Sequence, residues 1–388
     1  MSSFIPDQPA SPNQIHTSGD TTVAPMPTRK PNPESPKPVN LKILAEYLSL
    51  SPATISLVMN NAPGASAIAP ATRQRVLEAA KLLNYRPNPI ARSLRTRHSY
   101  AVGVIVPEFS EGYFTMLMNG IEEHLLQSGY LHFVVSHQGK PDLMEEYPRL
   151  LTERSVDGFL LVNTTLTEEV TAPVVSISGH EKIKGNTNIM LDHDRAALLA
   201  LKHLYDLGHR RIAFMKGQRQ VSDADFRWQG IMAMAQRVGL TIYPELCVYL
   251  EANDWSPELG YPITRNLLAR TRDFTAMFCF NDISAIGAMR AIVDCGLRCP
   301  DDISVIGFDD ISSAAYQIPR LTTVRQPLRR MGEIAVQTLL RRIQSPTEAY
   351  PENILFEPEL VVRESTSAAR HLHTPTTAKL HTPRAPKR

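Results

Sequence analysis

Few residues of this chain have the types and spacing for covalent or metal chemistry. No Gly-rich loop ends in Lys-Ser/Thr to cradle a phosphate. No His-Glu-x-x-His sets two imidazoles on one helix face, and no Gly-x-Ser-x-Gly presents a nucleophile. The cysteines Cys247, Cys279, Cys295 and Cys299 are far apart or in apolar context; Cys295 and Cys299 are four apart, but no second pair or His cluster completes a zinc-like set. They read as core thiols of a reducing compartment. His193 stands between Asp192 and Asp194, a triplet at a strand-to-helix junction that reads as a capping cluster rather than a catalytic one. The expectation is no enzyme, no cofactor and no metal.

What the residues do supply is charge, unevenly spread. The 388-residue chain has a formal net charge of only +2, yet residues 39–98 carry eight Lys/Arg against two acids, a net +6. Residues 370–388 hold five basic residues and no acid, the first 38 balance, and residues 99–369 are left at −9. A basic module on an acidic body is the pattern of a localised polyanion-binding head. At 43% hydrophobic and 21% charged the composition is globular, and the length suggests two or three folding units whose cores need no staple. The chain start has no basic segment followed by an apolar one, and no apolar run nears the roughly 20 residues of a membrane helix. A soluble, cytoplasmic protein with no membrane contact is expected.

The elements that position these groups follow from periodicity. Residues 1–38, with nine prolines, predict a disordered arm, and the basic stretch 370–388 a disordered tail. Leu41, Leu44, Ala45 and Leu48 fall on one helix face; Ser51 then caps a second helix with Pro52 at its first position and Ile55, Val58 and Met59 inward. A third helix is predicted from about Thr72, with Val76, Leu77, Ala80 and Leu83 inward. Three short helices with a tight first turn predict a helix-turn-helix head over 39–86. Strand-like runs then appear at 101–106, 131–135, 158–162, 174–177, 212–215, 275–280 and 303–308, separated by amphipathic helices such as 116–126, 196–207, 226–238 and 283–293. This alternation predicts parallel sheets with helices on both faces, divided into two lobes over 99–369. Ligands of such sheets sit beyond the carboxyl ends of the strands. Asp157-Gly158 reads as a turn leading into a strand, and Asp282 and Asp310 as helix caps.

The head and the junction after it resemble the lactose-repressor (LacI/GalR) family of bacterial transcription regulators. The matching residues are Leu44-Ala45-Glu46-Tyr47, Ser51 through Asn60, Thr72 through Val76 and Asn84 through Leu94. In the body they are Phe280-Asn281-Asp282, Ser304 through Asp310, Leu321 through Gln326 and Pro358 through Ser365, in collinear order over 39–369. The resemblance implies an α/β fold, with an all-α helix-turn-helix head on a two-lobed body like that of the periplasmic sugar-binding proteins. It also implies a homodimer on palindromic operator DNA whose affinity a small effector controls.

Carried onto this sequence, the second head helix reads the major groove through Ser51, Pro52, Ala53, Thr54, Ser56, Leu57 and Asn60. The family often has Tyr, Gln or Arg at some of these places; Pro52, Ala53 and Leu57 here imply readout by thymine methyl contact and by hydroxyls. Thr54 is equally suited to a phosphate. The loop after Asn61 is longer than is usual in the family. Residues 87–98 match its hinge, too short to be a stable helix alone, with Leu94 at the wedge position and Asn88, Ala91, Arg92 and Arg95 facing DNA. In the body the resemblance makes Arg227 a hydroxyl clamp and Asn281, Asp309 and Gln326 further polar contacts, with Trp255, Tyr113 and Phe114 as aromatic walls. Such a set suits a sugar, or less readily a nucleoside or purine. Asn281 and Asp309 equally suit helix caps, and Trp255 plain packing. Relatives that tetramerise use a leucine-heptad tail; Leu372 and Leu380 with Pro375 between them cannot build one, so a dimer is expected.

Overall fold

A computed structural model describes residues 39–370, save 61, 86–92, 94–97, 110–111, 167–169, 180–184, 219–221 and 251–258. The expectations for the arm, the tail, Trp255 and the hinge residues Asn88, Ala91, Arg92, Leu94 and Arg95 therefore lie outside the described residues. The chain packs as two units, one ending at Pro87 and the other beginning at Asn88.

The head holds helices α1 (Leu41–Leu48), α2 (Pro52–Met59) and α3 (Pro70–Leu82). Asn40 Oδ1 caps α1 by accepting from the Lys42 and Ile43 amides, both at 3.0 Å. Ser49, in the left-handed region at φ +55°, ends it. The chain then turns, so that α2 is bent 109° from α1. Leu44, Ala45, Leu48, Ile55, Val58, Val76, Ala79 and Ala80 form the core. Helix α3 begins two residues before Thr72, at Pro70, whose missing N–H costs nothing there. Ala69 precedes it without a side-chain cap. Leu77, expected inward, is 49% exposed. It lies about 100° round the helix from Val76, and Ala79, three residues on, takes the inward place.

The body contains two six-stranded sheets. The first runs β11-β5-β4-β3-β1-β2 and the second β12-β10-β9-β8-β6-β7. The first has β1 (Ala101–Val106), β2 (Leu131–Ser136), β3 (Gly158–Val162), β4 (Val174–Ile177), β5 (Thr187–Leu191) and β11 (Asn353–Phe356). The second has β6 (Ile212–Lys216), β7 (Cys247–Tyr249), β8 (Ala276–Phe278), β9 (Ser304–Asp309), β10 (Thr322–Arg325) and β12 (Glu359–Val361). Every pairing is parallel except β10 with β12. Helices α4 (Tyr113–Gln127), α5 (Pro141–Glu153) and α10 (Leu328–Gln344) serve the first sheet; α6 (His193–Asp206), α7 (Ser222–Val238), α8 (Gly260–Arg270) and α9 (Asp282–Asp294) serve the second. Apolar clusters fill both faces of each sheet.

The chain crosses between lobes after β5, after β10 and between β11 and β12. At these crossings the Asp192 amide donates to the Phe356 carbonyl at 2.9 Å, which ties the first crossing to the third. The carboxyl ends of the parallel strands thus gather where the lobes meet.

Helices α4 and α10 pack through reciprocal glycines. A Cβ on Gly120 would overlap the Arg329 carbonyl, and one on Gly332 would overlap that of Leu117. Overpacking of this kind costs about 1–3 kcal/mol. Gly120→Ala should lower the unfolding free energy measured by urea titration by that amount; an unchanged value would mean that the two helices separate freely.

Candidate functional sites

On α2 the chemistry-bearing side chains start with the cap. Ser51 Oγ accepts from the Thr54 amide at 3.0 Å and shares a 2.8 Å hydrogen bond with the Thr54 hydroxyl. Asn60 folds back, its Nδ2 donating to the Ser56 carbonyl at 2.7 Å and to Ser56 Oγ at 3.2 Å. Ser51, Pro52 and Ala53 are exposed, while Thr54, Ser56, Leu57 and Asn60 are half-buried. Leu57 lies over Gly64 of the following short turn. The exposed surface of this helix start is therefore apolar and hydroxylic, without a long polar reader.

In the body, the polar groups collect at the carboxyl ends of both sheets. Arg227, one turn into α7, is only 5% exposed. Its Nη2 donates to Asp223 Oδ2 at 2.6 Å and its Nη1 to the Phe280 carbonyl at the end of β8. The guanidinium carbon lies 3.7 Å from the Phe308 ring centroid and 4.4 Å from that of Phe280. Its Nε is buried with no hydrogen-bond partner. The other Asp223 oxygen meets His193 Nε2 at 2.9 Å, which joins α6 to α7.

Asp309 ends β9 with φ +113°, a left-handed strain in a non-glycine residue. Its carboxyl accepts from Gln326 Nε2 at 2.6 Å, and Gln326 lies on the second crossing. Burial pushes Asp309 up to about 7, with the Asp223 carboxylate adding to this while Arg227 and Gln326 pull the other way. Beneath it Asp282 is fully buried, accepting from the Thr323 hydroxyl at 2.5 Å and the Ile311 amide at 2.9 Å. Burial, then Asp309, raises it well above the carboxylate range.

From the first lobe, Gly112 leads into α4 at φ +88°, and a Cβ there would collide with Ile311 of the second lobe. Tyr113 follows, its hydroxyl 3.3 Å from Ser178 Oγ after β4. Burial and the charge of Asp223 push that phenol up, with Asp309 adding to it. Phe114 turns into the first-lobe core, edge-on to Phe109 at 5.6 Å.

The structure thus brings Tyr113, Arg227, Asp309 and Gln326 together. Asn281 does cap α9: its Oδ1 accepts from the Ser284 amide at 2.9 Å within a capping box. Asp282, expected as a cap, is instead a buried brace. Asp310 pairs with Arg325 and Arg363 at 2.7 and 2.6 Å. Asp157 matches the turn expected, accepting from the Ser99 and Tyr100 amides at 2.8 and 3.0 Å. Asp192 caps α6 through the Arg195 amide at 2.8 Å. Sequence reasoning missed Asp223, Ser178 and the outward reach of His193. The i, i+4 spacing of Asp223 and Arg227 was a readable signal; Ser178 had none.

The family model for bacterial regulatory proteins of the lacI family matches residues 41–88. That for a periplasmic binding protein-like domain matches residues 201–366. The HTH-type transcriptional repressor PurR of Haemophilus influenzae is 33% identical over 334 residues, 84% of this chain and 98% of that protein. The chain belongs to the lacI family. A crystal structure of the Lac repressor dimer bound to operator and the anti-inducer ONPF is 30% identical with a TM-score of 0.75, over 86% of this chain and all of that one. A lacI-family regulator from Enterococcus faecium with bound ribose is 27% identical with a TM-score of 0.63, over 70% of this chain and all of that one. This lacI-family chain is accordingly a DNA-binding transcriptional regulator with an effector-binding body, not an enzyme. Among its described residues no single helix is long and apolar enough to cross a membrane.

Asp309 makes stability pH-dependent. Its folded value of about 7 exceeds the roughly 3.9 of an unfolded Asp, so the folded state holds a proton that the unfolded state has lost between those values. Stability is therefore full below about 4 and falls as pH rises through 7. Asp282 acts in the same direction. Urea midpoints at pH 5 and pH 8 should fall less with pH in Asp309→Asn than in the wild type. Equal falls would show that Asp309 titrates like a surface carboxylate.

Proposed function

We propose that the chain is a repressor that binds a palindromic operator as a homodimer and is controlled by a small sugar held between the lobes. The observation that carries this reading is the joint one of a helix-turn-helix head and an Arg227–Asp309–Gln326 cluster where two lobes meet on one chain. Arg227, Asp309, Gln326 and Asn281 supply polar contacts for vicinal hydroxyls, and Tyr113 and Trp255 the apolar walls; Phe114 supports Tyr113 from below. Ser51, Pro52, Ala53, Thr54, Ser56, Leu57 and Asn60 present the reading surface to the major groove. Asn88, Ala91, Arg92, Leu94 and Arg95 form the hinge that meets the minor groove at the operator centre.

A second copy has a surface to cover. Tyr316 and Ile318 are 82% and 97% exposed on the loop before β10. Ile318 lines a groove with α9 residues such as Met289, Arg290 and Val293, and an apolar patch this open marks an interface. Sedimentation should give twice the 43.3 kDa chain mass; a single-chain mass at micromolar concentration would contradict the dimer. A nucleoside or purine is the second reading, favoured by the relatives named PurR.

A thermal-shift screen of sugars and nucleosides, with operator-selected palindromic DNA in parallel, tests the proposal. One sugar should raise the midpoint by several degrees, since a ligand at 100 times its Kd adds about 2.7 kcal/mol. Arg227→Ala should keep operator affinity and lose the effector response; a retained response would move the effector elsewhere. Leu94→Ala should weaken specific binding more than non-specific binding, and equal losses would remove the wedge role.

A further inference from the structure

The cleft groups hold more acid than base. Asp223, Asp309 and Asp282 are all buried at the carboxyl end of the second sheet. The permanent cation among them is Arg227, and its Nη2 and Nη1 are already committed to Asp223 and the Phe280 carbonyl. His193 Nε2 meets the other Asp223 oxygen at 2.9 Å. Among the described residues, the neighbouring cations are engaged elsewhere. Lys216, at the end of β6, has its ammonium 4.2 and 4.1 Å from the Trp228 and Tyr249 ring centroids. Arg325 and Arg363 both pair with Asp310.

Two atoms on nearly buried side chains remain for a ligand. Arg227 Nε has no hydrogen-bond partner, and among the described residues Asp309 accepts only at Oδ1, from Gln326. One is a donor in want of an oxygen. The other is a carboxyl oxygen in want of a partner, on a group whose ionisation burial and the Asp223 carboxylate oppose.

Resting on the sugar reading above, we propose that the effector carries a basic nitrogen beside a hydroxyl, as an amino sugar does. Its ammonium donates to Asp309 Oδ2 and the adjacent hydroxyl oxygen accepts from Arg227 Nε. A charged donor on a carboxylate makes a hydrogen bond roughly twice as strong as a neutral one, and here its charge also favours the ionised form of Asp309, which burial opposes. A neutral polyol fills the same space without that compensation. A sugar phosphate or uronic acid adds to the surplus and is repelled. Burial and the Asp223 carboxylate push both Asp309 and the Tyr113 phenol upward, as expected where a cation would be welcome.

Isothermal titration of the full chain at pH 7.5 tests this with matched sets: glucose, galactose and mannose, their 2-amino analogues and their 6-phosphates. An amino sugar should bind about tenfold or more tightly than its hydroxyl parent, the factor of one charge-assisted hydrogen bond. The phosphates should give no binding. Asp309→Asn, with its fold checked by its unfolding midpoint, should weaken both sugars and bring the ratio of amino-sugar to parent affinity down towards one; a ratio unchanged from the wild type would overturn the charge inference. A parent that binds as tightly as its amino analogue, or a phosphate that binds best, would overturn the charge inference and leave the sugar site standing. No binding by any member of the panel would overturn both the inference and the sugar reading beneath it.

Discussion

A guanidinium that is 5% exposed is costly to bury without a counter-charge, and the pairing of Arg227 organises the second lobe's mouth. Asp223, one turn earlier on α7, supplies the counter-charge at 2.6 Å. The Phe280 carbonyl fixes the other end of the fork, and Phe280 and Phe308 cover its flat faces. Removing one partner of a buried pair costs about 3–5 kcal/mol, because the remaining charge stays desolvated. The start of α7, the end of β8 and the start of α6, through His193, are therefore held in one arrangement by a single ion pair.

That arrangement sits at the junction of the two lobes. Asp309 ends β9 in the second lobe and receives Gln326 from the second crossing. Asp310 beside it is held by Arg325 and Arg363, and Arg325 also meets Glu359, just past the third crossing, at 3.1 Å. A group bound at Asp309 thus acts on the segments that join the lobes. Tyr113 brings the first lobe to the same place, and the contact of Gly112 with Ile311 sets how closely the lobes approach. A ligand changes the equilibrium between lobe angles only through a difference in affinity for them. A cleft whose polar groups come from both lobes and a crossing provides such a difference.

Much of this was readable from residue pattern. The head core followed the helical stripe of Leu44, Ala45, Leu48, Ile55 and Val58, and β1 was an unbroken apolar run because both its faces are covered. Arg227, Asp309 and Gln326 were located by their family motifs. Strands β7, β8 and β12, three residues each, are too short for periodicity alone to delimit. Leu77 was misjudged by one position, about 100° on a helix. The His193–Asp223 link joins residues 30 apart that meet only once the chain has crossed lobes. Asn281 shows the limit of motif transfer: the residue sits at the cleft, but its oxygen is occupied by the start of α9.

The central claim is that occupancy of the cleft changes the affinity of the head for DNA. The most direct measurement is fluorescence anisotropy of a labelled operator titrated with the full chain, with and without a saturating cleft ligand, at fixed salt. A coupling of about 1–3 kcal/mol, a 5- to 150-fold change in operator Kd, is the expected result. Identical operator affinities with the cleft empty and saturated would contradict the account, and would leave a DNA-binding head on a body that does not control it.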